Sequence, residues 1–482
     1  MKVHSIKLNF IMNFLLTASS ILFPLITFPY VSRVLGPTGT GNVTMGTSVV
    51  SYFTMVAMLG VPTYGVRVCA RVRDDRIELS RTVQELMIMN IGMMVLAYIA
   101  FFITILCVPS FSVMKTLYFV SALAIVLNVI GVNWLYQALE QYSYITMMSL
   151  LFKVVALILM FTFVHQANDY IAYALITVIG GFGSSIFNFI RLRKLVDLRP
   201  VGNYDFKRHI RPMFTFFAMT VATTVYTNLD VVMLGLMRSN YDVGLYNAAV
   251  KIKTIMVSLV TSLGTVLLPR ISYYFEQNKI QEFHALVSKA FSFVLLLAIP
   301  CCVYLMVFAK DTILLLSGES FLEAIPAVMV ITPTILLIGL SNITGIQVLV
   351  PTGRESLVLR SVVYGAIVDF VLNMCLIPVF GAAGAAFGTL MAECVVFIVQ
   401  LFYLRDMVKE IVQHLEWRSL ICSFAPALLV LVGVWCSPIQ GVFWRLLVAG
   451  IAFFGVYGIG LIFNKEEIVM SVIGKYLPKR GG

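Results

Sequence analysis

Apolar residues in this chain come in long unbroken blocks divided by short polar breaks, with no strict alternation along them. A block of about 20 residues or more crosses a hydrocarbon core of about 30 Å as a helix. A membrane barrel would instead show alternating segments of about ten residues. The pattern predicts an all-α polytopic membrane protein of about fourteen helices. They lie near 8–34, 42–66, 83–108, 113–138, 143–165, 169–191, 212–236, 244–269, 284–309, 322–350, 356–378, 382–404, 419–437 and 443–463. The first block is too long for a signal-peptide core and no small-residue cleavage site follows it, so it reads as a retained span. The longest connection is the basic stretch 191–211.

Composition agrees. Of 482 residues, 60% are hydrophobic and 12% charged, where a soluble protein would carry about 25% charged residues. The net charge of +11 is a matter of placement. With the N-terminus inside, 26 of the 34 Lys and Arg fall in cytoplasmic segments. Five fall outside (Arg33, Lys115, Arg238, Lys310, Arg445) and three within helices (Lys153, Lys251, Lys253). That asymmetry orients the chain with both termini cytoplasmic, and it argues against nucleic-acid binding. The eight cysteines form no CxxC and the five histidines are scattered, so neither a disulfide framework nor a metal cluster is expected. "GPTGTGN" (36–42) lacks the GK[ST] of a phosphate loop and reads as a short external turn. Trp134 and Tyr136 read as interface anchors, and 403–418 as an amphipathic helix on the inner surface.

The chain is duplicated. Gly41 matches Gly244 and Arg67 matches Arg270 at one offset of 203, and "FIRLRK" (189–194) echoes "FYLRDM" (402–407). That offset spans six helices, an even number, so both halves insert the same way. The result is a parallel repeat with a substrate path expected between two pseudo-symmetric lobes. The predicted domains are a six-helix lobe at 1–198, a basic cytoplasmic linker at 199–211, a second six-helix lobe at 212–407, and helices 13–14 with a basic tail at 408–482.

"FPYVSRVLGPTGTGNV", "WLYQALEQYSYI" (134–145), "NLDVVMLG" and "LIPVFGAAGAAFGTLMAE" (376–393) resemble the polysaccharide-repeat flippases of bacteria. These share a superfamily with drug/cation antiporters and the peptidoglycan-precursor flippases. The resemblance runs over essentially the whole chain. It implies a non-enzymatic inner-membrane carrier that turns an undecaprenyl-pyrophosphate-linked oligosaccharide from the cytoplasmic to the outer face by alternating access. It also implies a monomer in contact with membrane lipid, working beside a polysaccharide polymerase and glycosyltransferases. No cofactor is expected beyond Na⁺ or H⁺ as coupling ion. The alternative within the superfamily, a drug/cation antiporter, normally has twelve helices and acidic cavities, so helices 13–14 and Lys153 favour the flippase. A membrane polymerase or glycosyltransferase would need a larger extramembrane part than these loops offer.

Ionisable side chains inside spans are costly and mark function by default. A lipid pyrophosphate needs cations to leave water, which makes Lys153 the first candidate, with Arg33 near the outer mouth. Lys153 alternatively snorkels to the interface or pairs with Glu140 near the start of its own helix. Lys251 and Lys253, two apart and about 200° around a helix, cannot both face a cavity squarely. Asp369 and Asn373 are four apart on one face of helix 11, and Thr389 follows the small-residue turn into helix 12. Asp230 on helix 7 would complete an oxygen cluster suited to Na⁺ or a proton. The peptidoglycan-precursor flippases bind sodium between these three helices with Asn and Asp four apart, and here the order is reversed. Asp230 alternatively pairs with Lys251.

Overall fold

The structure, a computed structural model, describes residues 6–405, 407 and 417–473. Every regular element among them is a helix. The long ones are α1 (Ile6–Met58), α2 (Val61–Arg71), α3 (Arg76–Cys107), α4 (Lys115–Gly131), α5 (Tyr142–Phe163), α6 (Tyr170–Phe182) and α7 (Lys207–Met237). There follow α8 (Asn240–Glu276), α9 (Ile280–Val307), α10 (Thr334–Asn342), α11 (Glu355–Phe380), α12 (Ala382–Tyr403), α13 (Trp417–Trp435) and α14 (Val442–Phe463). Most of the expected amphipathic segment, residues 408–416, lies outside the described residues.

Among the described residues, twelve helical stretches are long and apolar enough to span, and a bent pair, Glu319–Ile331 with Thr334–Leu349, makes a further one. One of the twelve, Ile11–Arg71, holds 61 residues, far more than one crossing uses. It breaks at Gly36, whose φ of 65° is one that L side chains rarely adopt. The first half of α1 runs alongside α5 at a constant offset of 134, with Thr146 Oγ1 donating to Met12 O, Lys153 Nζ to Ser19 Oγ, and Tyr30 Oη to Val164 O. The second half runs alongside α4, Val43 clustering with Leu117 and Gly46 facing Ser121. Because α4, extended by the short helix Asn133–Ala138, and α5 are consecutive spans joined by the turn at 139–141, the two halves of α1 run in opposite directions. With that reversal and the bent pair counted, fourteen crossings result, as the hydropathy predicts.

The turn expected over 36–42 shrinks to Gly36 alone. Pro37 restarts the helix at once, where its missing N–H costs nothing. The tenth span is bent by 43° between Ile331 and Thr334, where Pro333 removes a backbone donor. The Cys302 thiol donates to the nearby Thr332 carbonyl (3.4 Å). Trp134 and Tyr136 are buried rather than anchored at an interface. A Cβ on Gly65 would lie 2.7 Å from the Trp134 ring, and Tyr136 Oη donates to Asn188 O at 2.7 Å.

The chain divides into two compact units, Met1–Asn247 and Ala248–Gly482. In the first, the basic linker is strapped to the opening turns of α3, which Asp75 caps through the amides of Ile77 and Glu78. Ser80 Oγ accepts from Asp197 N (2.9 Å), and Gln84 Nε2 donates to the carbonyls of Asp197 (2.6 Å) and Arg199 (2.8 Å). In the second, α11 and α12 pack through glycines: a Cβ on Gly384 would sit 2.5 Å from Leu376 O, the close approach that small residues permit. α13 and α14 close on α9 through Ala427, Leu431, Ala449, Phe453 and Phe308. Arg445 pairs with the buried Asp311 at the end of that cluster.

Candidate functional site

The first unit carries an open cavity of about 590 Å³. The second half of α1 contributes Thr47, Ser51 and Thr54; α4 contributes Ser121 and Asn128; α6 contributes Thr177; α7 contributes Thr220, Thr224 and Asn228. Met55, Met58, Val178 and Phe182 supply apolar wall, and no charged side chain lines it. Several of its hydroxyls spend their hydrogen on their own helix: Thr54 on Val50 O (2.9 Å), Ser51 on Ser48 O (2.7 Å), Thr220 on Phe216 O (2.9 Å), Thr177 on Tyr173 O (2.9 Å). Their oxygen lone pairs remain to accept. The Ser121 hydroxyl, 1% exposed, has no hydrogen-bond partner among the described residues. Among the described residues such a wall is largely apolar, set with scattered hydroxyl and amide acceptors and without counter-charge, which suits a neutral guest with both C–H faces and hydroxyls. The sequence carried this signal unread, because Thr47, Ser51 and Thr54 repeat at helical spacing, as do Thr220, Thr224 and Asn228.

The candidate cations occupy separate places. Lys153 Nζ donates to Ser19 Oγ (2.7 Å) and Ser20 Oγ (2.9 Å) on α1, and does not line the cavity. Its alternative partner is taken, since Glu140 pairs with Arg73 at 2.8 Å. Arg33 donates to Pro29 O on its own helix (2.8 Å). Lys251 and Lys253 are half-buried on either side of the buried Ile252.

Of the four proposed cation ligands, three gather in the second unit. Asp369 (1% exposed) and Asn373 (0%) turn their Oδ1 atoms toward α12, where a Cβ on Gly388 would meet them at 2.9 and 2.4 Å. Thr389, the next residue, is buried and donates to Ala385 O at 3.1 Å. Asp230 belongs to the first unit, where it is buried and accepts the Tyr246 hydroxyl.

Two glycines matched by the repeat meet face to face. A Cβ on Gly41 would fall 1.7 Å from Asn240 O, and one on Gly244 would fall 1.9 Å from Pro37 O. Asn240 and Pro37 are themselves 203 apart, so the contact is reciprocal. Asn240 Nδ2 donates to Asn42 Oδ1 beside it (2.9 Å). This backbone-on-backbone contact lies at the end of the unit remote from the linker.

Fold and cavity together define a multi-pass helical membrane transporter. The family model described as "Polysaccharide biosynthesis protein" matches residues 6–275, and a second, "MatE", matches 216–375. The chain belongs to the polysaccharide biosynthesis protein family. A relative from Escherichia coli strain K12, named "Putative O-antigen transporter", is 25% identical over 83% of this chain and 97% of its own. Among solved structures, a lipid II flippase in an inward closed conformation superposes with a TM-score of 0.72 at 15% identity, covering 96% of this chain and 99% of that one. A multidrug resistance transporter in an inward-facing conformation superposes at 0.62 with 14% identity, over 82% of this chain and 95% of the other.

Proposed function

We propose that this protein is a non-enzymatic flippase. It carries an undecaprenyl-pyrophosphate-linked oligosaccharide from the cytoplasmic to the outer leaflet of the bacterial inner membrane by alternating access, driven by a cation gradient, for surface polysaccharide synthesis. The observation that carries this reading is the uncharged hydroxyl- and amide-lined cavity of about 590 Å³ inside a membrane-spanning unit. Sugar hydroxyls donate to the acceptors that the Ser, Thr and Asn side chains leave available, and sugar C–H faces rest on Met and Phe. Lys153, held by the hydroxyls of Ser19 and Ser20, exchanges them for pyrophosphate oxygens as a releasable point charge. Arg33, Lys251 and Lys253 serve the same anion along the path. Asp369, Asn373 and Thr389 form the oxygen cluster for the coupling cation, and Asp230 tunes the path beside Tyr246. Both termini lie in the cytoplasm.

The "MatE" match favours a second reading, export of a cationic drug. The cavity speaks against it, because a cation leaving water needs a carboxylate and none lines that wall. A deletion strain separates the two. Loss of the flippase leaves lipid-linked repeat units on the cytoplasmic face, and wild-type protein, but not Thr224→Val/Asn228→Leu, clears them. Normal surface polysaccharide in the deletion strain would refute the assignment.

A further inference from the structure

A buried acid–base chain at the linker end of the first unit is not accounted for by the cavity or by the candidate cation cluster. Glu85 on α3 and His209 on α7 are both 0% exposed. His209 Nε2 lies 2.7 Å from Glu85 Oε2, and His209 Nδ1 lies 2.8 Å from the hydroxyl of Tyr64 on α2. Glu85 Oε2 also accepts from Arg208 (2.6 Å), while Glu85 Oε1 accepts the backbone N–H of Asp205 in the linker (2.6 Å). Arg208 reaches on to Glu78 Oε1 (2.7 Å) and Thr82 Oγ1 (3.2 Å), and Arg81 holds the other oxygen of Glu78 (2.5 Å). From α2, the Arg71 guanidinium acts on Tyr64 electrostatically. Three helices and the linker thus converge on one imidazole.

Charge counting shows what that imidazole can do. Glu78 and Glu85 balance Arg81 and Arg208, and Arg71 adds a further positive charge from α2, so no carboxylate is left over to balance a charged histidine. Arg208 Nε also approaches His209 Nε2 at 3.2 Å, but the closer Glu85 Oε2 at 2.7 Å calls for a hydrogen on Nε2, so in the neutral state Nε2–H donates to Glu85 and Nδ1 accepts the Tyr64 hydroxyl. A proton added at Nδ1 reverses the Tyr64 bond, with the hydroxyl now accepting, and leaves one positive charge without a counter-ion. Buried charge of that kind is relieved by admitting water. At the seam between α7 and α2, a Cβ on Gly60 would meet Phe217 N at 2.6 Å and Met213 O at 2.7 Å, so the chain there packs backbone on backbone with no side chain to fill a gap.

We infer that His209, clamped between Glu85 and Tyr64, is a proton-binding site of this carrier, separate from the Asp369 cluster, whose protonation opens the α2–α3–α7 seam. This rests on the transporter reading for its role in coupling, but the proton site itself does not. Two measurements keep the matters apart. In proteoliposomes carrying lipid-linked oligosaccharide, a transmembrane pH difference accelerates translocation by the wild type. His209→Gln, which keeps a hydrogen bond without titrating, loses at least tenfold of that acceleration while retaining exchange at equal pH. An unchanged pH response in His209→Gln overturns the inference. Independently, histidine-labelled purified protein is followed by NMR, with the His209 signal assigned by its absence in His209→Gln. The expected result is a pH-dependent change of the His209 signal, accompanied by faster amide exchange at the start of α7. A His209 signal that does not respond to pH, or responds without any change in α7 exchange, overturns it whether or not the lipid-linked substrate is transported. Absence of translocation by the wild type, with the titration present, refutes the flippase reading alone.

Discussion

The reciprocal glycine contact gives the sharpest perturbation. In Gly41→Ala the new methyl group would stand 1.7 Å from the Asn240 carbonyl oxygen, and both atoms belong to helix backbones. No rotamer can relieve the overlap, so α1 and α8 must separate by roughly 1.5 Å or more, enough to forfeit much of the local dispersion contact. Overpacking of this kind costs about 1–3 kcal/mol. Alternating access requires the two ends of the bundle to part in turn, and the contact is closed in this conformation. The substitution therefore disfavours this state over one with the contact parted by a factor of about 5–150. The assay is labelling of Asn42→Cys by a membrane-impermeant maleimide added on the side opposite the linker, in protein whose exposed native cysteines are replaced by Ser. Asn42 is 8% exposed and bonded to Asn240, so labelling is slow until the contact opens. Gly41→Ala, and Gly244→Ala likewise, are expected to raise the labelling rate by that factor. Unchanged labelling with wild-type export would refute the reasoning.

Other expectations follow from the same geometry. Lys153→Ala is expected to abolish export while lowering stability by only about 1–3 kcal/mol, because the lost partners Ser19 and Ser20 are neutral; full export in complementation would remove the pyrophosphate role. Sodium at about a hundred times its dissociation constant is expected to stabilise the purified wild type by about 2.7 kcal/mol, read as a rise in Tm, and not to stabilise Asp369→Asn; an equal rise in both would remove Asp369 from a sodium site. Thr224→Val/Asn228→Leu is expected to leave Tm nearly unchanged, since both side chains line the cavity and the bonds of Asn228 stay on its own helix, yet to slow translocation by tenfold or more; unimpaired flux would take the sugar out of that cavity.

Much of the fold was legible because a membrane imposes a length and a charge rule. The blocks at 419–437 and 443–463 fall within two residues of α13 and α14. Lone punctuation residues were harder to weigh. Gly36-Pro37 reads as a loop but is a single-residue break with the helix restarting behind it, and Pro333 bends a span that hydropathy draws straight. Trp134 reads as an amphipathic anchor, but the missing side chain of Gly65, distant in sequence, makes its pocket. The candidate site was legible where chemistry and spacing coincide, as with Asp369 and Asn373. It was hidden where single weak donors act together, as in the Ser/Thr wall of the cavity. Glu85 escaped notice because the start of α3 carries several charges and reads as solvated, whereas the linker folds back over it.

The central claim is translocation of a lipid-linked oligosaccharide. Its most direct measurement uses purified protein in proteoliposomes with a labelled polyprenyl-pyrophosphate oligosaccharide in one leaflet, and a membrane-impermeant glycosidase to report its arrival in the other. The expected result is protein-dependent translocation that is lost in Lys153→Ala and slowed in Thr224→Val/Asn228→Leu. No translocation of any polyprenyl-pyrophosphate oligosaccharide above protein-free vesicles, with gradient-driven exchange of an organic cation by the same vesicles, would contradict it.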